Sequence, residues 1–418
     1  MSPTFTALAV PNYRIYFTGS LISNIGTWLQ TTAQAWLVLQ LTGSGGAVGI
    51  AIALQLLPSL LFSPAAGVVA DRVPKHVLLL WMQVAMAIPA GLLGVLAVTG
   101  VAKPWHAFVL AFVFGVARAF EAPARQSFVS EMVDTARLSN AVSLNSASFN
   151  SGRLIGPGLA GLLIAALGSG VSATGWVIIL NALSYGFVIG ALLMMDTSLL
   201  RPAPLAARGR GAIIDGVRYV KARPDLLVVF SCLFFFGAFG MNFQITSALM
   251  ATDEFGLGAG EYGVLGSVLA IGSLGGALLA ARRPAPRLRF IVLSGLLFAV
   301  AQIASALMPT YLTYALVLPF VGLAVLTAAT TANAYIQMTA APVMRGRVVS
   351  LYLMVFLGSV PLGAPIIGYV GEHAGARWAL IVSGVVAGLG VAGSALLYAH
   401  RHGSVRETAL SMRRTAVS

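Results

Sequence analysis

Three ionisable residues stand inside long apolar stretches of this chain: Arg118, Glu121 and Arg153. A charge at the middle of a lipid bilayer costs from about 3 to over about 10 kcal/mol, so residues of this kind mark function first and structure second. Arg118 and Glu121 are three apart, share a helical face and can pair. The chemistry open to them is proton exchange, with Glu121 binding the proton and Arg118 setting its affinity, because a neighbouring cation favours the carboxylate and burial opposes it. A structural ion pair nearer one membrane face is the other reading, and Pro123 directly behind fits it. Arg153 lies about half-way along its own stretch, near Asn145 and Asn150.

Uncharged polar rows form the next constellation. Asn24, Thr27, Thr31 and Gln34 recur at helical spacing with Trp28 beside them, and Phe239, Asn242, Thr246 and Met250 repeat that spacing in the second half of the chain. A cavity walled by Trp, Phe, Met and amides suits an amphiphilic, poorly hydrated solute better than a sugar, which needs dense hydrogen bonding. The candidate cavity residues are therefore Asn24, Trp28, Thr31, Gln34, Asn145, Phe239, Asn242 and Thr246. Interhelical hydrogen bonding would use the same residue types.

These residues need elements to position them, and the composition says which. Of 418 residues, 58% are hydrophobic and 9% charged, which excludes a water-soluble globule. The net charge of +13 could indicate nucleic acid, but the charges avoid long intervals. None lies between Arg14 and Asp71, Lys75 and Lys103, Arg153 and Asp196, or Arg289 and Arg345, and each interval exceeds the roughly 20 residues of a membrane helix. Apolar runs between charges and Gly/Pro breaks predict twelve spans, the first at about 15–40 and the last at about 378–400. Continuous apolarity, without strand alternation, excludes an outer-membrane barrel. Basic residues gather after every even-numbered span, which predicts those loops and both termini on the cytoplasmic side of a multi-pass protein in the cell membrane. The chain start lacks a signal-peptide pattern, so the first span is expected to be retained.

A polar stretch from Asp196 to Pro224, with six Lys/Arg against two Asp, falls near the midpoint. Within it Ile213, Val217 and Val220 share one helical face, as in an interfacial helix, although an unstructured basic loop fits the composition too. A repeat supports two halves. At an offset of 207 residues, Ala141 to Gly161 aligns without gaps on Val348 to Gly368, so spans five and eleven correspond. The expected division is 1–195 as a six-helix bundle, 196–224 as a cytoplasmic linker with an amphipathic helix, 225–400 as a second six-helix bundle, and 401–418 as a basic tail. Duplicated bundles place a site at their interface.

After the second span comes Gly67-Val-Val-Ala-Asp71-Arg72-Val-Pro74-Lys75-His76. This resembles the loop motif of the major facilitator superfamily, with Pro74 and His76 departing from its pattern. The resemblance implies an all-α membrane protein of the major facilitator fold, twelve transmembrane helices in two pseudo-symmetric six-helix bundles, with Gly67, Asp71, Arg72 and Lys75 as a conformational latch. The counterpart in the second half, Gly275 to Arg283, has Ala where the Asp would stand. In the fifth span, Gly152-Arg-Leu-Ile-Gly156-Pro157-Gly158-Leu-Ala-Gly161 resembles the motif of the antiporter branch, which implies export. Small-residue spacing with a proline is also ordinary membrane packing. The stretches Pro123 to Asn145 and Thr27 to Ser44 are similar to the exporter subgroup that includes enterobactin and macrolide efflux proteins. In that resemblance Arg118 loosely matches an arginine of a fourth-span proton relay.

Gly258-Ala-Gly260-Glu-Tyr-Gly263 fits a dinucleotide-binding spacing but follows no strand, and no phosphate-binding P-loop run is present. The five His and the single Cys232 offer no metal-ligand spacing within a span, so no metal and no cofactor are expected. The expectation is a non-enzymatic secondary efflux transporter of amphiphilic small molecules, of drug, antibiotic or siderophore type, running as a proton antiporter by alternating access. Its expected partners are that substrate, protons and the lipid bilayer, not nucleic acid, and the expected state is monomeric. A nutrient symporter and a lysophospholipid or lipid flippase share the fold. A membrane-embedded enzyme would need more convergent acid, base or metal groups than one carboxylate and two arginines supply.

Overall fold

The computed structural model describes residues 3–201, 212–282 and 285–401. The described residues are almost entirely helical. In chain order the helices are α1 (Pro11–Thr42), α2 (Gly45–Arg72), α3 (Lys75–Val98), α4 (Pro104–Met132), α5 (Thr135–Ala166), α6 (Val171–Leu193), α7 (Ala212–Lys221), α8 (Pro224–Phe235), α9 (Phe243–Leu249), α10 (Ala259–Ala281), α11 (Leu288–Ala306), α12 (Tyr311–Thr339), α13 (Pro342–Gly358), α14 (Val360–Ala374) and α15 (Ala376–Arg401).

Among the described residues, ten stretches are long and apolar enough to cross a membrane. Helices α1 and α5, 32 residues each, match them in length but carry the polar rows, which lower their apolarity. With these two the rods number twelve, the expected count. Two expected spans are not single helices. The seventh is α8, a π-helical turn at Phe236–Gly240, a break at Met241 and Asn242, then α9 and a second π turn at Met250–Glu254. The eleventh is α13 and α14, joined at Ser359.

Successive rods run up and down, so their ends separate into two levels. At one level Asn12 Nδ2 donates to the Asp196 carbonyl at 2.8 Å and Tyr13 Oη to the Ala141 carbonyl at 2.7 Å. Arg223 and Asp225 pair there at 2.6 Å, a hydrogen bond that holds the guanidinium more firmly protonated than usual. This is the level of the basic loops, and is called here the basic end. At the other level Gln40 Nε2 donates to the Ser169 carbonyl, and Arg377 Nε meets Glu254 at 2.8 Å.

The helix expected in the linker is α7, and it is held by protein. Asp215 pairs with Arg347 at 3.0 Å, Tyr219 Oη accepts from the Ala341 amide at 3.1 Å, and Val220 is buried. The helix expected in the linker is thus present, with Val220 turned to protein and α7 resting on α13. Ile213's side chain and the linker residues 202–211 lie outside what the structure describes, as does the basic tail beyond residue 401.

The repeat seen in the sequence reappears as matched contacts. A Cβ on Gly156 would come within 2.6 Å of Trp28 on the first rod, and one on the equivalent Gly363 within 1.6 Å of the Ala238 carbonyl oxygen on the seventh. A Cβ on Gly161 would meet the Ala259 carbonyl oxygen of the eighth rod at 2.4 Å, and one on the equivalent Gly368 the Gly45 carbonyl oxygen of the second at 2.2 Å. Each pair touches rods six apart in order, the contact rule of a duplicated bundle. Only glycine permits these approaches.

Candidate functional site

The glycine motif of α5 serves two interfaces. Gly152 and Gly156 press on α1 within the first half, and Pro157 and Gly161 press on α10 of the second, where the Gly158 amide donates to Ser267 Oγ at 3.0 Å. Trp36 of α1 stacks on Tyr262 of α10 beside them, ring centroids 5.6 Å apart. On the other side of the molecule α2 meets α14, and Glu372 accepts from Ser44 Oγ and, at 3.2 Å, from the Gly46 amide at the start of α2. These joints between the halves all lie toward the end opposite the basic one.

Following the same faces toward the basic end shows where the halves part. At about 100° per residue, Ser139, Ser143, Ser146 and Asn150 lie on the face of α5 that further along carries Pro157 and Gly161. Ser139, Ser143 and Ser146 are exposed and Asn150 is half-buried. Their equivalents on α13, Gly346, Ser350, Leu353 and Leu357, are all exposed too. Faces packed between halves at one end are thus uncovered at the other. The wall from the first half is polar throughout, and the wall from the second passes from Gly346 and Ser350 to two leucines, Leu353 and Leu357.

Above the polar wall a chamber of about 50 Å³ opens within the first half. From α1 come Tyr16, Ser20, Ser23, Asn24, Thr27 and Trp28; from α4 come Phe114, Arg118, Glu121 and Arg125. Gln83 and Met86 of α3, Phe149 of α5, and Tyr185 and Val188 of α6 complete it. Glu121 is 5% exposed, and its Oε1 meets Arg125 Nε at 2.9 Å. The expected Arg118–Glu121 pair is therefore corrected: Glu121's ion-pair partner is one turn ahead, at i+4, where the side-chain directions converge better. Arg118 lines the same chamber with no ion pair or hydrogen bond among the described residues. Arg125 Nη1 also reaches Asn24 Oδ1 at 3.5 Å, and Asn24 Nδ2 donates to Ser148 Oγ at 2.8 Å.

Arg153 lies over the Trp28 ring at 5.7 Å, with Trp28 edge-on to Phe149. Its Nε is buried and has no hydrogen-bond partner. The guanidinium points into protein, at the joint of α1 and α5, within the same wall as the chamber.

Of the expected cavity residues, Asn24 and Trp28 line the chamber, and Asn145 is half-buried on α5, off the face that carries Ser139, Ser143 and Ser146. Others are placed elsewhere and are corrected. Thr31 Oγ1 donates to the Thr27 carbonyl at 2.7 Å, and Gln34 is buried, accepting from Gln30 Nε2 at 3.3 Å. Asn242 and Thr246 are buried at the broken seventh rod, where Asn242 Nδ2 bonds the Ala238 carbonyl at 2.5 Å and Thr246 Oγ1 the Asn242 carbonyl at 3.3 Å. They tie off backbone groups freed by the π turn, and Phe239 stands half-buried beside them. Of the expected latch, Gly67 is half-buried and Arg72 exposed, Lys75 meets Glu131 of the same half at 2.5 Å, and Asp71's side chain lies outside the described residues. Gly67 to Arg72 end α2 as a helix, with no cross-half ion pair from Arg72 or Lys75 among the described residues.

Sequence reasoning missed Arg125, Tyr16, Gln83 and Tyr185. Arg125 was within reach, since i+4 from Glu121 is as good a spacing as i−3. The others come from rods whose rotation no single stretch reports. Among the described residues no group of His, Cys, Asp and Glu could hold a metal ion.

Comparison with known proteins places this arrangement. Residues 2–413 match the profile of a family described as transmembrane secretion effector. The chain is 24% identical over 356 residues to a staphyloferrin A transporter of Staphylococcus aureus, covering 84% of this chain and 87% of that protein. It is 28% identical over 370 residues to the multidrug efflux pump Tap of Mycolicibacterium fortuitum, covering 85% and 88%. In fold it is similar to a point mutant of the nucleoside transporter NupG, with a TM-score of 0.73 at 14% identity over 91% of this chain and 99% of that one. A bacterial homologue of the lysosomal transporter Spinster, solved inward-facing and occupied, gives 0.72 at 16% identity over 95% and 97%.

Proposed function

From the premise that the chain belongs to the transmembrane secretion effector family of major facilitator transporters, and so is a multi-pass membrane transporter and not an enzyme, we propose that it exports amphiphilic small molecules by proton-coupled antiport. The single observation that carries the amphiphile reading is the pair of unlike walls. A solute entering between α5 and α13 meets hydroxyls and an amide on one side and leucines on the other, which favours a molecule with a polar and an apolar face. The small-residue joints at the far end hold that end shut while the basic end is open. Rocking the two halves about them is the motion alternating access needs. Export is favoured by the Gly152 to Gly161 motif and by relatives named as transporters of a siderophore and of multiple drugs.

Proton coupling is assigned to Glu121. The Glu121–Arg125 pair at 2.9 Å, within a water-sized polar chamber, supplies a carboxylate whose charge decides the electrostatics of the polar wall. Protonation releases Arg125, and deprotonation recaptures it. The basic end, with its excess of Arg and Lys, is assigned to the cytoplasm of the cell membrane, and the two halves to 1–195 and 225–400.

Expression in a host stripped of its own pumps tests this directly. Tolerance to some amphiphilic compounds is expected to rise, and Arg153→Ala to remove it with the protein still in the membrane. A panel with no compound-dependent shift contradicts export and points to a symporter or to a lipid flippase, whose activity would track lipid composition. In proteoliposomes, export unaffected by collapsing the proton gradient would falsify the coupling and the role of Glu121.

A further inference from the structure

The charges around the chamber do not balance. Arg118 and Arg125 line it with Glu121 as the lone carboxylate, and Arg153 adds a third guanidinium through Trp28, which it overlies at 5.7 Å and which is itself a wall of the chamber. Glu121 is committed to Arg125 at 2.9 Å. That leaves Arg118 sharing the one carboxylate with no ion pair or hydrogen bond of its own among the described residues, and Arg153 with a buried Nε that donates to nothing, both near the middle of their helices. A buried donor left unsatisfied costs on the order of 1 to 3 kcal/mol, more when the group is charged. That orphan donor, on a wall with more guanidinium than carboxylate, calls for an acceptor.

We propose that this wall is an anion site, and that the transported solutes carry a carboxylate that docks between Arg118 and Arg153. The inference rests on the transport reading and names its substrate class. A guanidinium presents paired N–H groups to the two oxygens of a carboxylate, a fit that an ammonium group cannot supply. The body of the same solute then lies on Trp28 and Phe149, which meet edge to face with ring centroids 5.6 Å apart, and its apolar part faces the leucines of α13. A cationic amphiphile would meet net positive charge at the same place, and the Trp28 ring that could attract it already carries Arg153 over one face.

The test uses the full-length protein in lipid nanodiscs and three ring-matched fluorescent probes: 6-(dimethylamino)-2-naphthoate, its primary amide, and its aminomethyl analogue. The naphthoate is expected to bind about tenfold more tightly than the amide and the ammonium probe weakest. Arg118→Gln and Arg153→Gln should each bring the naphthoate to within twofold of the amide without changing the amide's own affinity, and Arg153→Lys should restore part of the preference. Equal or tighter binding of the ammonium probe, a naphthoate preference that survives both Gln variants, or no saturable binding of any probe by cooperatively melting protein overturns the anion site. Because binding is read without transport, a failed tolerance panel with the naphthoate preference intact sinks the export reading alone.

Discussion

Rods one and five and their equivalents, seven and eleven, are built on one repeat and do different work. Helices α1 and α5 are unbroken for 32 residues each, α1 lining the chamber with its polar face and α5 with Phe149. Their equivalents are interrupted, at the π turn of Phe236–Gly240 and at Ser359, and the two interruptions touch: a Cβ on Gly237 would come within 2.1 Å of Ser359 Oγ. Between Leu226 and Ala251, and between Val348 and Gly371, the second-half rods carry no charge. In the repeat, Arg153 matches Val360 and Gly152 matches Ser359. One copy has unbroken helices and carries a charge. The other is apolar and interrupted. The difference is what the proposed function uses: it assigns recognition and proton chemistry to the first half, and an apolar wall and the compliance to rock against it to the second.

The comparison can be broken most sharply by moving chemistry between halves. Glu121→Gln is expected to abolish gradient-driven export, a loss of more than a hundredfold, whereas Asn242→Ala, at the break in the seventh rod, should cost less than threefold in export by the same proteoliposome assay. Comparable losses at both positions would end the division of labour.

Packing gives the next largest effect. Adding a methyl at Gly363, against the Ala238 carbonyl oxygen at 1.6 Å, should destabilise more than adding one at Gly156, where the nearest atom is 2.6 Å away. Overpacking costs about 1 to 3 kcal/mol or more. Thermal melts of purified Gly363→Ala and Gly156→Ala are expected to differ in that order, unless the bent rods yield more easily than the straight ones, in which case the order reverses and the second half is shown to be the softer.

The cross-half joints should respond alike, because they are equivalent. Gly161→Ala and Gly368→Ala each place a methyl within 2.4 Å or less of a facing carbonyl oxygen. Each is expected to shift the population about tenfold, on the order of 1.4 kcal/mol, toward opening at the end now closed. Accessibility of a cysteine introduced at Ser44 reads this without background, since Cys232 is buried. Glu372→Gln removes one charge-assisted bond at the same joint and should raise that accessibility less than threefold.

Much of this was legible beforehand, and the reasons for the rest are physical. Continuous apolarity identified the rods, and Gly152, Gly156 and Gly161 announced close approach because nothing larger fits. The polar row on α1 was legible as a row, but Asn24 and Thr27 line the chamber while Gln34 turns to Gln30, because helix periodicity gives a face and not what stands opposite. Glu121 had Arg118 and Arg125 at almost equal reach, and side-chain direction along the helix, which spacing leaves out, decided for Arg125. The breaks in rods seven and eleven were the least visible. Asn242 and Ser359 look like ordinary polar residues of a span, and only the bonds they make to freed carbonyls give them away.

The central claim is that the two halves exchange which end is open, and distances between spin labels measure it most directly. Labels at Ser130 and Met338, exposed near the basic ends of α4 and α12, report one end, and labels at Trp105 and Leu312, exposed at the opposite ends of the same helices, report the other. On lowering the pH in nanodiscs, the first distance is expected to shorten as the second lengthens, and Glu121→Gln to remove the response. Distances that move in the same direction, or stay fixed at both ends, would contradict alternating access by these halves.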